Sequence, residues 1–189
     1  MKNTSVQLII LLLLLYMPDL FAQSLGRIKS RNIKQVTVVE TKLDKKGKET
    51  SKTVVKKYNR KGLLIEEATL RSDGSTRKRV TYDYTKSGEL RVRKHFNSKN
   101  QIVREKRIEY HLLFDEPIKM EYLKKGEVYK TRTFEYDFDG NRMREIAYNK
   151  RGEQIRERKY SYDAKGMLIS RKEINKNGAV EETDYRYVY

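Results

Sequence analysis

A repeat of 26 residues governs this chain. Tyr58, Tyr84, Tyr110, Tyr136 and Tyr162 stand one period apart, and Gly62, Gly88, Gly140 and Gly166 each follow one of them by four residues. A second slot holds Leu70, Phe96, Tyr122, Tyr148 and Ile174, each four residues before Gly74, Asn100, Gly126, Gly152 or Gly178, so the steps alternate between 12 and 14 residues. Self-similarity at a fixed period marks an architecture in which every repeat is one supersecondary unit. A disordered chain has no physical reason to keep such a register.

The residues at the slots say what the unit is. Segments such as Tyr136-Asp137-Phe138-Asp139-Gly140, Tyr148-Asn149-Lys150-Arg151-Gly152 and Tyr162-Asp163-Ala164-Lys165-Gly166 place Asp or Asn where it can bond its own backbone. Gly then accepts the left-handed conformation that closes a hairpin loop. Between the turns apolar residues alternate, as in Val80, Tyr82 and Tyr84, or Ile118, Met120 and Tyr122, which is the period of a strand. The expected fold is all-β: an antiparallel up-and-down meander of about twelve strands, from about residue 33 to 189, built from hairpin repeats. It would form a single-layer, coiled or solenoid-like sheet, with an irregular first unit because Gly47 precedes its slot by one residue. Closing a three-residue loop between Asn149 and Glu153 sets Ile146 opposite Arg156 and Arg144 opposite Arg158. The same rule at Asp137 and Asn141 sets Phe134 opposite Arg144 and Arg132 opposite Ile146.

The Tyr-Asp-x-x-Gly turns, with Tyr160-x-Tyr162-Asp163 leading into the last of them, resemble the YD repeats of RHS-type secreted proteins. The resemblance runs over about 58–188 and is strongest over 134–178. Only Tyr136 and Tyr162 are followed by Asp; Tyr58-Asn59, Tyr84-Thr85 and Tyr110-His111 depart from the pattern, and the period is longer than a typical YD repeat. The turns are also similar to MORN-like hairpin repeats, of the kind found in certain bacterial antitoxin-named proteins. RHS-type shells enclose toxins, and a chain this short could not. The resemblance therefore implies a β-hairpin sheet or solenoid and no activity.

Composition narrows the function classes. Among 189 residues there are no cysteines and two histidines, which leaves no thiolate chemistry, no disulfides and little material for His-based catalysis. No phosphate-cradling loop, nucleophile elbow or metalloprotease helix motif is present. The expectation is a non-enzyme without cofactor or metal. Lys2, the apolar run from Leu8 to Met17 and Ala22 read as a cleavable signal peptide over 1–22, followed by a flexible segment over 23–32. The run is about half of the ~20 residues that span a bilayer, so no integral membrane span is expected after cleavage. The compartment is then secreted or periplasmic.

The formal charge is +17, from 43 Lys and Arg against 26 Asp and Glu. Down the repeat it forms columns: Lys78, Arg104, Lys130 and Arg156, beside Lys106, Arg132 and Arg158. With Arg144, Tyr136 and Tyr160 they make an expected basic and aromatic binding face, the acids Glu105, Glu109, Glu135, Glu145 and Glu157 lying on the other side. Such segregation fits docking on a polyanion (anionic polysaccharide, lipid head groups or nucleic acid) or on an acidic protein partner. Equally, long Lys, Arg and Glu stems can cover tyrosine rings and keep a thin sheet soluble. The chain would then be a structural or interaction module of an envelope, or an immunity-type partner. His111-Leu112-Leu113-Phe114-Asp115-Glu116-Pro117 replaces one polar turn, with Phe114 in the glycine slot. That loop must be rebuilt, and Leu112, Leu113 and Phe114 either meet a partner or fold back on the sheet. The terminal Tyr185-Arg186-Tyr187-Val188-Tyr189, on an open edge, is a candidate for self-association.

Overall fold

In the computed structural model the described residues are 28–188 apart from 44, 46 and 48. The expected signal peptide at 1–22, and residues 23–27 of the segment after it, lie outside them. The fold is all-β, with twelve antiparallel strands in sequence order as an open meander. Among the described residues no helix is long and apolar enough to cross a membrane. The chain divides into two compact units, Met1–Arg77 and Lys78–Tyr189.

The first unit holds β1 (Gln35–Leu43), β2 (Glu49–Tyr58) and β3 (Leu64–Leu70). Val38 pairs with Val54, and Val54 with Thr69; Val54 and Thr69 are both buried. Residues 28–30 form a helical turn closed by the bond from the Ile33 amide to the Ile28 carbonyl.

The second unit carries β4 (Thr76–Tyr84), whose first two residues precede the boundary, and β5 (Leu90–Phe96), β6 (Ile102–Tyr110) and β7 (Pro117–Lys124). It continues with β8 (Glu127–Tyr136), β9 (Arg142–Asn149), β10 (Gln154–Tyr162), β11 (Leu168–Asn175) and β12 (Val180–Asp184). Its most buried positions, Ile108, Leu123, Phe134, Glu145, Ile146 and Ala147, fall on the middle strands β6 to β9.

The turns form as their residues dictate. The Asp137 amide donates to the Asn141 carbonyl at 3.0 Å, and the Gly140 amide donates back to the Asp137 carbonyl at 3.2 Å. Asp137 Oδ1 accepts from the amides of Asp139 and Asn141. The same set recurs at Asn59, Asn97, Asn149, Asp163 and Asn175. At the fifth position of Asn97's turn system, Asn100 takes the glycine conformation, with φ 58°. The turn at Gly126 is shorter: Lys125 and Gly126 both have positive φ between the paired Lys124 and Glu127, a two-residue hairpin.

Beyond the turns the expected register fails, for one repeated reason. Tyr136 pairs with Arg142, but Glu135 pairs with Arg144, so Met143 is an extra residue on its strand. Gln154 pairs with Tyr148 and Arg156 with Ala147, leaving out Ile155. Ile65, Arg91, Val103, Ile118 and Ile169 are left out in the same way. Each is a β-bulge, which offsets all later pairs by one residue. Arg156 therefore pairs with Ala147 instead of Ile146, and Arg158 with Glu145 instead of Arg144. Phe134 pairs with Glu145 instead of Arg144, and Arg132 with Ala147 instead of Ile146. Three of the unpaired residues have their carbonyls engaged by the chain beyond the neighbouring strand: Val103 accepts from Lys125, Ile155 from Lys176 and Ile169 from Tyr185.

A candidate basic and aromatic face

Residues paired across an antiparallel ladder share a face, so the observed register assigns every side chain of the second unit. One face carries the row Tyr82, Arg93, Lys106, Tyr122, Lys130. Beside it run Ile108, Met120, Arg132, Ala147, Arg156 and then Phe134, Glu145, Arg158, Glu173. The opposite face pairs its charges: Arg107 with Glu105, Lys119 with Glu109 and Glu121, Arg144 with Glu135 and Glu157, and Lys159 with Glu157.

Two expectations about the faces are corrected here. Arg144 does not belong to the basic columns; it lies on the opposite face, with its Nε 2.7 Å from Glu157. Glu145 is not on the acidic side; it lies among the cations of the basic face. Both corrections follow from the bulge at Met143, because one extra residue inverts which members of β9 look up. Glu105, Glu109, Glu135 and Glu157 do occupy the face opposite the columns.

Around Glu145 the basic face is neutralised. The buried carboxylate is 3.4 Å from Arg132, 3.7 Å from Arg156 and 3.6 Å from Arg158, and accepts from the Tyr160 hydroxyl at 3.3 Å. Glu173 takes Arg158 at 2.6 Å and Arg156 at 3.6 Å. The bond from Arg158 holds Glu173 below the usual carboxylate pKa. Arg156, Arg158 and Tyr160 are thus brought together, with acids already between them.

Nearer β5 the cations are not neutralised. Lys106 and Lys130 flank the Tyr122 ring, each ammonium 5.8 Å from its centre; Arg93 lies 5.6 Å from the Tyr82 ring. Among the described residues none of these three cations forms a close ion pair, although Glu145 acts on Lys130 from a greater distance. Burial, then Arg132 and Arg93, lower the pKa of Lys106; burial, then Arg132 and Arg156, lower that of Lys130. The chemistry available is anion binding: ammonium and guanidinium donors framed by aromatic faces, partly withdrawn from water. No group of three His, Cys, Asp or Glu that could hold a metal occurs among the described residues.

The remaining predicted residues divide by role. Arg104 pairs with His95 on one side and Lys124 on the other, and these three line a surface pocket together with Lys78. Tyr136 serves the fold, donating its hydroxyl to the Pro117 carbonyl at 2.8 Å beneath the Arg142 guanidinium. The loop at 111–116 is rebuilt as its Phe demands: Phe114 stacks on His111 at 4.7 Å and folds against Gly140, while Leu112 and Leu113 point outward. Phe138 is also fully exposed. The chain terminus is tied back to β11 through Tyr185 and Tyr187. Arg93, Arg142 and Lys124 are not among the expected site residues, and His95, which reads from the sequence as a solvent-side strand residue without a ligand role, stands opposite Arg104 on the basic face.

No protein-family model and no curated protein matches the chain. Among solved structures, it is similar to a porin-like protein from Bacteroides uniformis at 11% identity, over 79% of this chain and 82% of that one, with a TM-score of 0.43. It is also similar to a chain of a TcdB2-TccC3-Cdc42 structure at 12% identity, over 79% of this chain and 11% of that one, with a TM-score of 0.30. A third likeness, to S. aureus TarM, has 10% identity, covers 88% of this chain and 24% of that one, and has a TM-score of 0.21.

Proposed function

We propose that this is an extracytoplasmic, non-catalytic β-repeat protein of the YD-repeat or MORN-like kind that binds an acidic macromolecule through the basic face of its second unit. The observation that carries the reading is the asymmetry between the faces. Cations on one side are matched by acids, whereas Arg93, Lys106 and Lys130 crowd around Tyr82 and Tyr122 without a close ion pair among the described residues. Like charges held together repel, and an anionic chain lying along the row would relieve that repulsion. Arg156 and Arg158 contribute less, because Glu145 and Glu173 occupy them.

Retention of the mature protein on heparin, lipopolysaccharide and single-stranded DNA, each over a salt series, tests the reading. Affinity should fall steeply with salt as counterions are released, and each of Arg93, Lys106 and Lys130 replaced by Gln should reduce the salt slope by about one. Absence of retention on all three at low salt would overturn it. A second reading, an interaction module whose charge only keeps it soluble, is favoured by the outward Leu112 and Leu113. In that case replacing both with Ser abolishes partner capture while polyanion retention is nil. Light scattering with and without residues beyond Glu182 reports whether copies associate at the β12 edge.

A further inference from the structure

We propose that the pocket between Lys78, His95, Arg104 and Lys124 holds a tetrahedral oxyanion, the sulfate or phosphate monoester group of a larger acidic ligand, the first carrying one negative charge and the second up to two. The proposal rests on the reading of the basic face as anion-binding and assigns one chemical group to one place on it. His95, Arg104 and Lys124 are directly opposite one another on β5, β6 and β7. Three basic side chains in one cross-strand row oppose folding unless something negative lies between them. Among the described residues no acidic side chain lines the pocket to supply that charge. The walls are Val80, Phe96 and Val103, apolar surfaces that concentrate the field of the surrounding cations. At about 470 Å³ the pocket admits a monoester group with part of its carrier.

His95 makes the site responsive to its ligand. Burial comes first, and Arg93, Arg104 and Lys78 add to it, in holding the imidazole below its usual pKa. The charged groups around it are Lys78 from β4, Arg93 on its own strand, Arg104 from β6, and Lys124 and Lys125 at the end of β7; all are cationic. Arg79, the other cation at the pocket, lies over Phe96 and donates to Asn100. An oxyanion seated among them offsets the local field of the cations, so a proton moves onto His95 and the imidazolium gives the ligand a second N–H donor. Affinity therefore rises as pH falls through the His95 titration.

The test follows the two histidines by NMR during pH titration, with and without inorganic sulfate, whose charge is constant over this range. His111, in the loop at 111–116, is the internal control. The expected result is a His95 midpoint raised by about one pH unit in sulfate, equivalent to about tenfold tighter binding to the protonated form. His111 should be unmoved, and Arg104→Gln should cancel the His95 response. A sugar sulfate and a sugar phosphate, compared at fixed pH, distinguish the two sources of the oxyanion. A His95 midpoint unmoved by sulfate, or one moving equally with His111, overturns the proposal. If heparin retains the protein while His95 does not respond, this inference fails alone. If His95 responds while all three polyanions fail to bind, the broader reading fails and the pocket stands.

Discussion

The hydroxyl of Tyr162 donates to the backbone carbonyl of Arg142 at 3.0 Å, reaching back to the first residue of β9, which follows the Asp137–Asn141 loop of the previous period. Tyr110 does the same to Leu90 at 2.9 Å, Tyr136 to Pro117 at 2.8 Å and Tyr187 to Leu168 at 2.9 Å. Tyr110, Tyr136 and Tyr162, and Tyr187 one residue ahead of the next slot, are thus clasps between hairpins of neighbouring periods. Burial raises the pKa of Tyr110, Tyr136 and Tyr162, and the phenol keeps its proton to donate. A repeat that selects Tyr where Phe would supply the same ring is explained by this bond.

Tyr162→Phe should therefore keep the ring packing and lose about 1 kcal/mol of stability, the net worth of one such bond. Tyr110→Phe and Tyr136→Phe should cost similar amounts, and the triple variant close to their sum. Urea midpoints at an unchanged m-value check this. A triple variant as stable as the wild type would reduce the clasp to a geometric coincidence.

Glu145 is the buried counter-charge for three arginines, so Glu145→Gln should destabilise by about 3 kcal/mol or more. The exposed Glu153, 3.9 Å from Arg151, should cost less than about 0.5 kcal/mol when changed to Gln. Because Arg132 is released, and Arg156 and Arg158 keep only Glu173, Glu145→Gln should also elute later from heparin. Calorimetry and salt-gradient elution on the same preparations separate the two effects.

Gly140 and Gly152 have similar backbones, with φ of 83° and 78°, and different surroundings. A Cβ on Gly152 meets nothing within 4 Å, whereas one on Gly140 would lie 3.3 Å from the Phe114 ring. Gly152→Ala should cost about 1 kcal/mol for its left-handed conformation. Gly140→Ala should cost roughly 1 kcal/mol more, and that excess should vanish in a Phe114→Ala background. The coupling energy from the double-mutant cycle is the readout.

Acid should unfold the second unit through its paired carboxylates. The hydrogen bond and charge of Arg158, with Arg156 and Arg171, hold Glu173 below the usual glutamate value of 4.5 against burial. Burial pushes Glu157 up, and the bond and charge of Arg144 with the charge of Lys159 outweigh it. Groups with lowered folded pKa values contribute stability fully above the usual value and lose it as pH falls through the folded one. The melting temperature should thus be flat above about pH 5 on account of these groups and fall below it. Glu173→Gln should be less stable near neutrality and lose less on acidification.

The period of 26, the alternation between turns and the Asx-Gly loop chemistry were legible in the sequence because each depends on residues close along the chain. Twelve strands in meander order follow from them, as does the rebuilt loop at Phe114, where no glycine conformation was available. The basic columns were legible too, since Lys106, Arg132 and Arg158 keep the same spacing as the tyrosines. What no local pattern disclosed was the extra residue in the hairpins that carry a bulge, at Met143, Ile155 and their counterparts. Ladder geometry makes the parity of a strand absolute, so one bulge exchanges its two faces. The sequence alone determined the strands, the loops and the cationic repeat. Only the tertiary register decided that Glu145 sits among the arginines, that Arg144 faces away, and that His95 meets Arg104 and Lys124.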